Sequence, residues 1–152
     1  MLKADTIEIL VKCLPQFNGL PLPAYMSEGS SGMDLVAAVT EQKILKPGER
    51  ALIPTGISLS IPPPFEAQVR PRSGLAYKHG VTVLNAPGTI DSDYRGEVQV
   101  ILINLGEVPY IIQRGDRIAQ LIFMSYQKAS FKVQEELDVT KRNEGGFGHT
   151  GI

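Results

Sequence analysis

Eleven prolines and fifteen glycines are scattered through the 152 residues so that no apolar run goes far unbroken, and this punctuation decides the fold class. Between the breaks, apolar residues return at every second place. Ile7, Ile9, Val11 and Cys13 alternate with Thr6, Glu8, Leu10 and Lys12, and Ile57, Leu59 and Ile61 alternate with serines. A period of two is the mark of a strand with one face buried. The pattern predicts strands over 6–13, with Cys13 at a buried end, and over 33–39, 43–45, 50–54, 57–61, 66–70, 108–112, 118–124 and 131–137. Residues 98–105 are nearly continuous Val, Ile and Leu, which predicts a strand covered on both faces, beneath another sheet or another subunit. Leu14 to Ser31, with three prolines, reads as an extended connection, Lys46-Pro-Gly-Glu49 as a turn, and Pro62 to Pro64 as a polyproline-like excursion. Only 73–78 reads as a helix. The expectation is an all-β chain with one short helix.

A length of 152 residues suits one domain with a proper core. A formal net charge of -1 provides no broad field to draw nucleic acid or a membrane surface, so any anion site must be local. Cys13 is the sole cysteine and cannot form an intramolecular disulfide. The first residues carry neither an apolar core nor a basic amphipathic pattern, and no run reaches membrane-spanning length. A soluble protein of a reducing compartment, the cytoplasm, is the expectation.

Chemistry concentrates in four places. Val81 to Glu97 reads as a β-hairpin turning at Asn85-Ala-Pro-Gly88, its far arm opening with Asp91 and carrying Tyr94. Main-chain donors and acceptors at strand spacing can match a flat base edge; alternatively Asp91 and Asp93 are ordinary turn carboxylates. Arg72 and Ser73 stand at the start of the helix, where unpaired N–H groups favour a phosphate, although serine there is also a common N-cap. Gln120 interrupts an apolar strand and either faces outward or needs a partner. Residues 142–151, Arg-Asn-Glu-Gly-Gly-Phe-Gly-His-Thr-Gly, have the composition of a mobile tail whose exposed N–H groups could wrap phosphate oxygens. No phosphate-loop lysine motif, zinc-ligand spacing or Ser-His-Asp set is present, and His79 and His149 lie far apart in sequence.

Taken together, Gly32-Met-Asp-Leu35, Pro71-Arg-Ser-Gly-Leu-Ala76, Gly80 through Asn85 to Asp91-Ser-Asp-Tyr-Arg-Gly-Glu97, Arg114-Gly-Asp-Arg-Ile-Ala-Gln-Leu121 and Arg142 to Gly151 resemble, in order and spacing, the five motifs of the trimeric deoxyuridine triphosphate pyrophosphatases. The resemblance spans the chain. It implies a distorted jelly-roll β-barrel over 1–137, a flexible glycine-rich arm over 138–152 that closes the active site, and a homotrimer with shared sites. It also implies hydrolysis of dUTP to dUMP and pyrophosphate with Mg2+, which would keep uracil out of DNA and supply dUMP for thymidylate synthesis.

Residue by residue, the resemblance makes Asp91 the general base for water attacking the α-phosphorus. Asp34 becomes a carboxylate near the metal's waters, and Arg72, Ser73, Gly74 and Gln120 become phosphate contacts. Asn85, Thr89 and Ile90 would hold uracil through the main chain, and Tyr94 would pack on the deoxyribose and exclude a 2′-hydroxyl. Gln99 would be a further substrate contact. Arg142, Phe147 and Gly148 would clamp the γ-phosphate and cover the base. In the family the metal is held by phosphates and water, so no side chain is assigned as a direct ligand. The chain departs from the family pattern at Ser31, Asn143 and His149. The alternatives are a dCTP deaminase-like enzyme of the same fold and a non-catalytic dUTP-sensing regulatory protein.

Overall fold

The structure, a computed structural model, describes residues 6–146. Ten strands and one helix follow in the order β1 (Leu10–Cys13), β2 (Met33–Val36), β3 (Lys43–Leu45), β4 (Arg50–Ser60), β5 (Phe65–Arg70), α1 (Ser73–His79), β6 (Val81–Val83), β7 (Gly88–Ile90), β8 (Glu97–Asn104), β9 (Tyr110–Ile112) and β10 (Arg117–Ser125). They form two four-stranded sheets, β1-β4-β8-β6 and β2-β10-β5-β7, and a two-stranded pair, β3-β9. Every pairing is antiparallel. Ile53, Leu59, Val100 and Leu102 of the first sheet meet Leu35, Val69, Ile90 and Leu121 of the second in a single core, with Leu45 and Ile112 of the small pair closing one end. This is the expected distorted jelly roll with its one short helix.

Several sequence-based expectations change. The two pieces expected at 50–54 and 57–61 are one strand, β4, whose register against β8 slips between Pro54 and Ser58. Val81–Val83 and Gly88–Ile90 do not pair with each other. β6 bonds to β8 in one sheet and β7 to β5 in the other, so the supposed hairpin is splayed across two sheets. The Pro62 to Pro64 excursion is a turn, closed by Phe65 N–H donating to Pro62 O at 3.0 Å.

Cys13 is exposed rather than buried, because β1 is an edge strand with β4 as its one hydrogen-bonded neighbour. β8 is covered on one face only: Val98, Val100, Leu102 and Asn104 are buried, while Ile101 and Ile103 are partly exposed and Gln99 is exposed. No strand forms at 131–137, where Phe131 and Val133 are 96% and 94% exposed. Among the described residues nothing covers this alternation.

Asn104 ends β8 at 0% exposure and is fully satisfied. Its amide donates to Leu45 O (2.8 Å) and Val108 O (2.9 Å), and its Oδ1 accepts from Gly106 N–H (2.8 Å), fastening the small pair to the main sheet.

Candidate active site

Strand register builds the first half of the site. On β10, Gln120 stands opposite Asp34 of β2 on one side and Arg70 of β5 on the other, so Asp34 and Gln120 share a face. Pro71 then ends β5 by withholding an N–H, and the chain turns into α1 with Arg72 at the cap position. Arg72 makes no side-chain cap bond and Ser73 is the first helical residue, so Ser73 is not the N-cap. The opening N–H groups of a helix have no partner within it, and Ser73 and Gly74 carry the first of them.

These groups converge on a cleft of about 260 Å3 lined by Asp34, Arg72, Ser73, Gly74 and Gln120, together with Gly32, Met26 and Ser30. Asp34 orients the cation at its mouth. Arg72 Nε lies 3.0 Å from Asp34 Oδ1, and Arg72 Nη1 donates to Arg117 O at 3.0 Å. Held at two points, the guanidinium cannot swing, which is what bidentate anion recognition needs. Arg117 Nη1 approaches the other oxygen, Asp34 Oδ2, at 3.3 Å. Asp34 thus meets two cations, one of which, Arg117, stands outside the cleft lining.

Gln120 Nε2 donates to Pro71 O at 2.9 Å, and this fixes the side chain beside the helix start. Gly32 is what permits it, since a β-carbon there would run into Gln120 Oε1.

A larger groove of about 700 Å3 runs beneath β1, lined by Ile9, Val11, Leu22, Phe65 and Phe123 among others, with Glu28 as its one charged side chain. It offers packing surface rather than converging polar groups, so the smaller cleft is the candidate for chemistry.

The second half lies on β6, β7 and the loop after them. Each of these strands is the last in its sheet, so one side of each has main-chain N–H and C=O groups without a strand partner. Splayed arms serve base recognition better than a closed hairpin, whose inward groups would already be paired. Ile90 is buried and Thr89 exposed, so Ile90 can meet a ligand only through its main chain. Asn85 Nδ2 would stand 3.2 Å from a β-carbon at Gly88.

Asp91 is exposed at the end of β7 and its carbonyl accepts from Tyr94 N–H at 3.1 Å. Arg95 Nη1 ties the loop by donating to Ser92 O (2.6 Å) and Tyr94 O (3.0 Å). The Tyr94 ring lies over Gly96 with its hydroxyl donating to Glu97 O at 3.1 Å.

Within one chain the halves remain apart: Asn85, Asp91 and Tyr94 do not line the cleft. Gln99 is exposed on β8 opposite Pro54, also outside it. Arg142 sits in a turn where its Nε donates to Gly145 O at 2.7 Å. Asn143 takes a φ of 44°, a left-handed conformation that asparagine tolerates. Phe147 and Gly148, like His149, lie outside the described residues. Sequence reasoning missed Arg117, Met26 and Ser30. For Arg117 a signal existed, a cation opening the same strand three residues before Gln120.

Comparison with known proteins gives the family and the fold. Residues 18–151 match the dUTPase family. The chain is 57% identical over 147 residues to a deoxyuridine 5′-triphosphate nucleotidohydrolase of Thermoanaerobacter sp., covering 97% of this chain and 99% of that protein. It is 57% identical over 151 residues to the protein of the same name from Ehrlichia canis, with the same coverage. Among solved structures, a point mutant of the Staphylococcus bacteriophage 80alpha dUTPase with dUpNHpp superposes with a TM-score of 0.86 at 26% identity, covering 97% of this chain and 100% of that one. Fold and sequence therefore agree that the chain belongs to the dUTPase family.

Proposed function

We propose that this protein hydrolyses dUTP to dUMP and pyrophosphate. The observation that carries the reading is the cleft in which Asp34-oriented Arg72, the helix start at Ser73 and Gly74, and Gln120 converge, a donor set matched to phosphate oxygens. Asp91 takes a proton from water as its oxygen bonds to the α-phosphorus; the bond to the bridging oxygen breaks in line, and pyrophosphate leaves. Asn85, Thr89 and Ile90 hold uracil, Tyr94 walls off a 2′-hydroxyl, and Gln99 adds a contact. Arg142, Phe147 and Gly148 belong to an arm, 138–152, that closes over a barrel of 1–137.

When bound, Mg2+ would be held by the substrate phosphates, with Asp34 near its waters, and would supply charge neutralisation at the reacting phosphates. The donor set fits that arrangement. Among the described residues no three His, Cys, Asp or Glu side chains group together as a metal cage, and Asp34 is engaged by two guanidiniums.

The working unit is a homotrimer with shared sites. Three surfaces that one chain leaves unfinished support this: the outer face of β4 and β8 with Leu52 and Ile101, the apolar groove beneath β1, and the exposed Phe131, Val133, Leu137 and Val139. The separation of Asp91 and Tyr94 from the cleft is a fourth reason, because a second copy can supply them. Among the described residues no helix is long and apolar enough to cross a membrane, and we place the protein in the cytoplasm beside its nucleotide substrate.

One assay separates the readings. With dUTP and Mg2+ the protein should release pyrophosphate and dUMP. Ammonia from dCTP would identify a deaminase, and dUTP binding without turnover a sensor.

A further inference from the structure

Glu97 opens β8 at the point where the β4–β8 ladder breaks. Pro54 faces Gln99 and Ser58 faces Glu97, so Thr55, Gly56 and Ile57 stand against Val98 alone. Such a bulge leaves main-chain groups without a ladder partner. Gly56 takes a left-handed φ of 74°, and its N–H is satisfied by Glu97 Oε1 at 2.8 Å. The same oxygen accepts from Gln16 Nε2 at 2.9 Å, from a segment 81 residues away. Phe17 packs over the bulge so closely that a β-carbon at Gly56 would lie 3.0 Å from its main chain. The side chain of Glu97 thus replaces a missing rung, while its own main-chain oxygen receives the Tyr94 hydroxyl.

We infer that Glu97 is a positioning residue for sugar selection. Its carboxylate pins the bulge, the pinned bulge fixes the Glu97 carbonyl, and the carbonyl holds the Tyr94 ring against Gly96, where it excludes a 2′-hydroxyl. This rests on the role proposed above for Tyr94. Without the carboxylate, Gly56 N–H loses its acceptor, the start of β8 can shift, and the ring is no longer tethered where a ribose would strike it.

The test measures kcat and KM for dUTP and for UTP and compares the ratio of specificity constants across variants that elute as wild type on size exclusion. Tyr94→Ala tests the wall itself and should collapse the ratio; if it leaves the ratio unchanged, the wall reading falls and the positioning role with it. Glu97→Ala should lower the ratio by about tenfold, chiefly through a lower KM for UTP, whereas Glu97→Gln, which keeps an oxygen for both donors, should stay within about twofold.

Tyr94→Phe should lower the ratio comparably, and adding Glu97→Ala to it should change little more, since the bond through which Glu97 acts is already gone. An unchanged ratio in Glu97→Ala where Tyr94→Ala collapses it overturns the inference, as do effects of Glu97→Ala and Tyr94→Phe that multiply. Should Glu97→Ala not fold, Gln16→Ala decides. It removes one donor from outside the site and should lower the ratio by about twofold to threefold, and no change overturns the inference.

Discussion

Replacing Gly32 by alanine should leave the fold nearly intact and cripple the site. The new β-carbon would collide with Gln120 Oε1 and stand 3.4 Å from Gln120 Cδ and from Ile122 Cγ1. The obstacle is the tip of a flexible side chain, so Gln120 yields by changing rotamer and the main chain stays where it is. Stability then loses the Gln120–Pro71 hydrogen bond of 2.9 Å, about 0.5–1.5 kcal/mol. Against that, removing a glycine restricts the unfolded chain and contributes about 0.4–1 kcal/mol in the opposite sense.

The two nearly cancel, so unfolding by heat or urea should differ from wild type by no more than about 1 kcal/mol. Turnover responds differently, because a donor aimed at developing charge is worth about 10²–10³ in kcat. Pyrophosphate release from dUTP should therefore fall by about a hundredfold in a protein that melts almost normally. Activity within threefold of wild type would show that Gln120 need not stand where Gly32 allows it. A variant destabilised by several kcal/mol would show that the strain is not absorbed by the side chain.

Asp91→Asn should lower turnover by about 10²–10⁴ while a non-hydrolysable dUTP analogue still binds within about tenfold of wild type, since the amide keeps the shape but cannot take the proton; turnover close to wild type removes Asp91 from the reaction. Tyr110 gives a pH signature: burial, then Asp116, push its phenol above the ordinary tyrosine value, with Arg72 opposing. The native state therefore keeps a proton that the unfolded chain releases above about pH 10, and the stability this lends below that pH is lost as pH rises through the native value. Thermal melts across the alkaline range should fall more steeply for wild type than for Tyr110→Phe, and parallel curves would refute the assignment.

Alternation alone marked most strands correctly, including both pieces of β4, because one-sided burial writes itself into the sequence at a period of two. It could not say with whom a strand pairs. Val81–Val83 and Gly88–Ile90 flank a turn and look like a hairpin, yet they border different sheets, and period two is the same in either case. Residues 131–137 failed for a different reason, since their apolar side chains have no cover among the described residues of one chain. The members of the cleft, Asp34, Arg72, Ser73, Gly74 and Gln120, were legible residue by residue because they fall in short local motifs. The part of Arg117 was not, since its link to Asp34 spans 83 residues and depends on β2–β10 register. Asn104 escaped similarly: a polar end to an apolar strand looks unremarkable until Leu45, Gly106 and Val108 surround it.

In the proposed trimer a working site draws its parts from different chains. Truncation before Arg142 should leave the barrel folded, since the described residues 142–146 are exposed or only partly buried, and should abolish turnover through loss of Arg142 and the arm. Full-length Asp91→Asn should be equally inactive. Co-refolded and purified as mixed oligomers, the two should regain dUTP hydrolysis, because some sites then combine an intact Asp91 with an intact arm. Mixed oligomers shown by mass to contain both chains, yet as inactive as either parent, would contradict the account.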